Sequence, residues 1–172
     1  MRRFLFYGGL QVTFNQVRPA NIQIMAEFDY TIRHMIVEDH QALLALWRHS
    51  KGIGVRSADS YDGLARYLDR NPRTSYVACK DQDIIGTILA GTDGRRGLIH
   101  HLAVDEQYRG NGIGQALLNA ALEALSQMGI EKCSTFVFRT NEKAIVFWNK
   151  VGWTERDELT TFSKILSDDD NA

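Results

Sequence analysis

The segment that most limits what this chain can fold into runs from Leu98 to Leu118. There an apolar stretch ending Leu102-Ala103-Val104 passes into Gly110-Asn111-Gly112-Ile113-Gly114 and then into an amphipathic stripe. Three glycines within five residues are expensive, because each forfeits ~0.5–1 kcal/mol relative to alanine where regular structure forms. Such a cluster implies positive φ angles or the close approach of something bulky to bare backbone. From Gly112 to Met128, the residues Ile113, Ala116, Leu117, Ala120, Ala124, Leu125 and Met128 fall on one helical stripe, and Gly129 supplies the stop. The glycines thus sit at a helix start, where unpaired amides and the positive end of the macrodipole favour an anion, above all phosphate.

The flanking text supplies a sheet for that helix to cover. Phe28–Arg33 alternates aromatic and β-branched residues as an edge strand does. Val37–Lys51 places Leu43, Leu46 and Trp47 at helical spacing, and a second helix starting near Asp59 or Ser60 carries Tyr61, Leu64, Tyr67 and Leu68 before Pro72. Ser75–Lys80 and Ile84–Ala90 read as a hairpin across Asp81-Gln82-Asp83, and Leu98–Val104 follows as the next strand. Ile130–Phe138 returns to strand, Asn141–Lys150 to helix, and Trp153–Leu166 to one or two further strands. The expected class is a mixed α/β or α+β fold.

With 172 residues the chain fits one domain able to bury ~70% of its unfolded surface. The expected boundaries are an extension of unknown role over 1–26, one core over 27–167, and an acidic tail over 168–172. Arg2-Arg3-Phe4-Leu5-Phe6-Tyr7 begins like an export signal, but Gly8-Gly9, Gln11, Thr13 and Asn15 end the apolar run too early. No run reaches the ~18–20 apolar residues of a membrane helix. A formal charge of −1 excludes nucleic-acid binding driven by bulk charge. Cys79 and Cys133 cannot build a disulfide framework or a four-cysteine zinc site, so a cytoplasmic protein with no metal is expected.

Three phosphate loops compete for the glycine segment. A Walker loop needs Gly-Lys-Ser/Thr, but Gly114 is followed by Gln115-Ala116. A dinucleotide fingerprint needs a third glycine where Gln115 stands and belongs in the first βα unit. What remains is R-x-x-G-x-G, met by Arg109, Gly112 and Gly114.

On these residues, and on Asn141-Glu142-Lys143-Ala144-Ile145-Val146-Phe147-Trp148-Asn149-Lys150-Val151-Gly152-Trp153, the chain resembles the GNAT superfamily of acetyl-CoA-dependent N-acetyltransferases over about residues 28–166. Thr92–Gly97, His100-His101 and Tyr108-Arg109-Gly110 are further similar to the small bacterial YpeA-like branch. The resemblance implies a mostly antiparallel mixed sheet of about seven strands, splayed at the cofactor site and flanked by about four helices. It implies acetyl-CoA as co-substrate, with the pyrophosphate held by Arg109, Gly110, Asn111, Gly112, Ile113, Gly114 and Gln115. Pantetheine would pair with the backbone of Leu102, Ala103 and Val104, Asn141 would bond the pantetheine arm or nearby backbone, and Phe147 and Trp148 would pack at the thiol end.

The resemblance also implies direct attack by the acceptor amine in a ternary complex, which leaves the cysteines no nucleophilic role. The family's usual general acid is a tyrosine where this chain has Trp148, an indole that donates but does not ionise usefully. A base is expected for a protonated amine, and His100 and His101 precede the cofactor strand. Strand alternation would send them to opposite faces, and His100 is the favoured base. Residues 37–73 carry six basic and five acidic residues, so a polybasic acceptor is disfavoured. A small-molecule amine or a protein amino terminus is the expected acceptor, a homodimer stays open, and a non-catalytic acyl-CoA-binding module is the alternative reading.

Overall fold

The computed structural model describes residues 28–169 and 171; the expectations for residues 1–26 lie outside them. Five strands form one sheet in chain order: β1 Thr31–His34, β2 Tyr76–Lys80, β3 Asp83–Thr92, β4 Gly97–Val104 and β5 Cys133–Thr135. The first four are antiparallel neighbours, and β5 joins β4 in parallel. Among the described residues four α-helices complete the fold: α1 His40–His49, α2 Tyr61–Arg70, α3 Ile113–Gln127 and α4 Glu142–Lys150.

Two apolar layers sandwich the sheet. On one face Ile85, Ile88, Ala90 and Ile99 pack against Ile113, Leu117, Leu118, Ala121 and Leu125 of α3. On the other, Val77, Cys79, Leu89 and Ala103 meet Leu43, Leu46, Trp47 and Leu64 of α1 and α2. The helices begin for local reasons. Ser60 caps α2 by accepting from Gly63 N at 3.2 Å, and Asn141 caps α4 by accepting from Ala144 N at 3.2 Å.

The strand count is five among the described residues, not about seven, and each shortfall has a cause. β5 pairs with β4 only from Gly97 to Ile99, after which the two diverge and Phe136–Phe138 lose their ladder partner. Trp153–Leu166 forms no strand: its charged residues pair as Arg139–Glu155 and Arg156–Glu158, and Leu159 N turns back to the Arg156 carbonyl. Phe162 and Leu166 consequently stand exposed. Within the acidic tail, the Asn171 carbonyl accepts from Ser57 N at 3.1 Å. No helix among the described residues is long and apolar enough to cross a membrane.

Candidate active site

Divergence of β4 from β5 opens a cavity of about 1070 Å³. It is walled by β4 from Ile99 to Val104, the loop that leads into α3, the start of α4, and the segment His49–Gly54 after α1. At its lower end the turn Glu106–Tyr108 leads to Gly110 and Gly112, whose φ angles of 85° and 77° explain the glycines. A Cβ at either position would meet no protein atom within 4 Å, so the bare backbone faces open space. The amides of residues 110–115 donate to no acceptor among the described residues. Six consecutive N–H groups with the positive end of α3 behind them form a concave anion cradle.

Of the residues singled out from the sequence, Leu102, Ala103, Val104, Arg109, Gly110, Gly112, Ile113, Gly114, Gln115, Asn141, Phe147, Trp148 and His100 all line this one cavity. Asn111 does not; its side-chain amide turns back to donate to the Tyr108 carbonyl at 3.0 Å. Arg109 is tied to the strand end, donating from Nε to the Val104 carbonyl at 3.0 Å and pairing with Glu106 at 3.3 Å. A Cβ on Gly114 would sit 3.5 Å from the Phe147 ring and 3.7 Å from Val104, ordinary contact distances that place this start of α3 beside β4 and α4. Trp148 is wedged between Phe147 and Trp153, with ring centroids at 5.4 and 4.6 Å. Asn141, besides capping α4, closes against Gly52, where any side chain would collide with its amide.

The expectation that His100 and His101 point to opposite faces is corrected here. Register between β3 and β4 shifts between Thr87 and Leu89, so two residues of β4, His101 and Leu102, oppose Ile88 alone. His101 takes a φ of 46°, uncommon for a residue with a Cβ, and the bulge breaks the period of two. Both imidazoles therefore lie on the α1/α2 face, with ring centroids 6.4 Å apart. His100 stands against Tyr67, and His101 lies 4.5 Å from the Trp47 ring.

Asp59 was not foreseen as a site residue. Because Ser60 takes the capping duty, the Asp59 carboxylate is left free: it accepts from Arg56 N at 2.8 Å and meets His101 Nε2 at 2.7 Å. Its carbonyl is 2.9 Å from His40 Nε2. Nothing in the sequence ties Asp59 to a histidine 42 positions away; only the bulge brings them together. Burial pushes the Asp59 carboxyl up, but the His101 and Arg56 hydrogen bonds outweigh it and hold the group below the usual carboxylate value. Burial, with His101 beside it and Asp59 opposing, lowers His100. Burial thereby favours the neutral form of His100. Tyr67, behind it, has a buried hydroxyl without a partner among the described residues, and burial raises its pKa.

The fold recurs in known proteins. The chain superposes on the PaiA N-acetyltransferase of Thermoplasma acidophilum in complex with coenzyme A, with a TM-score of 0.67, 23% identity, and coverage of 75% of this chain and 92% of that one. It also matches an aminoglycoside acetyltransferase from an uncultured soil metagenomic sample, with a TM-score of 0.63, 19% identity, and coverage of 80% and 97%. The glucosamine-6-phosphate N-acetyltransferase of Arabidopsis thaliana gives a TM-score of 0.59 at 18% identity, covering 81% and 99%. At these identities the likeness is one of fold. The sequence itself matches the model of the acetyltransferase (GNAT) family over residues 40–153, from the first helix to the end of the α4 segment. This chain belongs to the GNAT acetyltransferase family.

Proposed function

We propose that the protein transfers the acetyl group of acetyl-CoA to a primary amine by direct attack within a ternary complex. The observation that carries this reading is the run of amides over residues 110–115 that have no partner among the described residues, opening into a cavity that continues along the end of β4 that β5 leaves unpaired. Two phosphates fit such a cradle, because it offers donors and no Cβ at Gly110 and Gly112. The backbone of Leu102–Val104 offers the extended edge that an amide-bearing pantetheine arm needs, and Phe147 lines the same cavity. Asn141 serves by fixing the start of α4 against Gly52. The acceptor is a small amine or a protein amino terminus, and two unpaired cysteines fit a cytoplasmic setting.

Trp148 supplies no proton to the departing sulfur. An alkyl thiol of pKa ~8.5 is already a fair leaving group near neutrality, so water suffices there. The same tryptophan favours a second reading, a non-catalytic acyl-CoA-binding module. An acceptor panel followed by release of free thiol separates the two: turnover with any amine above hydrolysis excludes the binding-only module.

Calorimetric titration with acetyl-CoA tests both. Binding is expected in the wild type and is lost in Gly112→Trp, whose indole fills the cradle. The positive φ makes that substitution cost about 1–2 kcal/mol of stability, so a thermal melt accompanies it. No binding at millimolar ligand, or binding unaltered by Gly112→Trp, overturns the proposal.

A further inference from the structure

We propose that His101, positioned by Asp59, is the group that takes the proton from the acceptor's ammonium, and that His100 is not. This rests on the acetyl-transfer reading above and names the catalytic base within that site.

The argument is geometric. Nε2 of His101 lies 2.7 Å from Asp59 Oδ1, and an ionised carboxylate can only accept, so Nε2 carries the hydrogen and, in the neutral ring, Nδ1 holds the lone pair. Nδ1 has no hydrogen-bond partner among the described residues, and it is not sealed away, whereas His34 Nδ1 is. His101 lines the cavity and 16% of its side chain is exposed, and the proposal assigns Nδ1 to that open side.

The ring is held by Asp59 and Trp47, and its backbone by Thr87. Trp47 packs against the ring, and the indole N–H donates to Thr87 Oγ1 at 3.0 Å, which in turn donates to the His101 carbonyl at 2.9 Å. A backbone in the left-handed region costs of order 1–3 kcal/mol and persists only where its surroundings overdetermine it. Here an indole, a hydroxyl and a carboxylate do so. His100 has no such partner: the side it turns to α2 meets the Tyr67 ring.

The charged and titratable groups facing His101 are Asp59 from the turn before α2 and His100 from its own strand. His40 reaches the Asp59 carbonyl from α1, and β3 contributes only the neutral Thr87.

The step balances as follows. An N–H bond of the ammonium breaks and Nδ1–H forms, freeing the lone pair to attack the thioester carbon. As the new C–N bond forms, the C–S bond breaks, and the second nitrogen proton is delivered through water to the departing thiolate. The imidazolium then returns its proton to solvent, so one ammonium and acetyl-CoA give one amide, free CoA and one proton.

The test uses His101→Asn, since asparagine tolerates a positive φ, and Asp59→Asn. Acetyl transfer is followed with two probe amines, phenethylamine, titrating near ~10, and glycinamide, near the ~7.7–8.0 of α-amines. Imidazole nitrogen NMR of the same proteins reads the tautomer. His101→Asn is expected to lower kcat/KM for phenethylamine at neutral pH by ~10²-fold or more, and to lower it less for glycinamide, which is already partly deprotonated. The acidic limb of the phenethylamine profile disappears, while acetyl-CoA binding by calorimetry is retained. Asp59→Asn keeps part of the activity, and the His101 NMR signals move from a single Nε2–H form to a mixture. The proposal is overturned by a wild-type His101 protonated on Nδ1, by signals unmoved in Asp59→Asn, or by an acidic limb that vanishes in His100→Gln instead. The two NMR outcomes hold whether or not either amine turns over. Failure of the wild type to bind acetyl-CoA removes the acetyl-transfer reading itself, a result distinct from all three.

Discussion

A single carboxylate shows how local chemistry sets the character of this site. Asp59 is mostly buried yet sits below the ordinary carboxylate value, because its hydrogen bonds to His101 and Arg56 outweigh desolvation. A depressed carboxyl adds stability above its unfolded pKa of ~3.9, and that contribution is lost as the pH falls through the lower folded value. Asp59→Asn is therefore expected to cost about 1–3 kcal/mol at pH 7, by thermal or denaturant unfolding, with the gap between variant and wild type closing below about pH 4. His100 has the opposite consequence. Its folded pKa lies under the unfolded ~6.5, so the unfolded chain binds more protons, and stability falls as the pH drops below 6.5 towards that folded value. His100→Gln should flatten the unfolding profile in that window, and an unchanged slope would show that the ring is not desolvated.

Among the elements, those with a strong local period were legible and those fixed by a neighbour were not. α3 could be drawn from its stripe and its flanking glycines, and β2, β3 and β4 from apolar runs and the Asp81-Gln82 turn, where Asp81 indeed takes a φ of 53°. The β4 bulge could not, because it depends on how Thr87 and Leu89 pair across the sheet. With it went the facing of the histidines and the partnership with Asp59. Trp153–Leu166 misled in the other direction: its apolar residues suggested strands, but a strand needs an edge to join, and β5 ends at Thr135. The contact between the loop after α1 and the cap of α4 offers a test at this scale. Gly52 has a φ of 88° and abuts the Asn141 side chain, so Gly52→Ala should displace that cap. A loss of about 1–2 kcal/mol in stability, with weaker acetyl-CoA binding by calorimetry, is the expected outcome.

Across the whole molecule, the sheet separates two cores that answer for different parts of the site. The layer built on α3 supports the glycine cradle, and the layer built on α1 and α2 carries Trp47 behind His101. Leu117 is fully buried between α3 and the sheet, so Leu117→Ala should cost about 2–5 kcal/mol in denaturant unfolding. The divergence of β4 from β5 has a further meaning. A sheet that parts along one seam leaves donors, acceptors and apolar wall without partners inside the fold, and a molecule seated in the gap supplies what neighbouring strands supply elsewhere. Ligand concentration then becomes a variable of the protein's own stability. With acetyl-CoA at a hundred times its dissociation constant, mass action adds about 2.7 kcal/mol to unfolding. The melting temperature of this chain is, in that sense, a readout of how full its seam is.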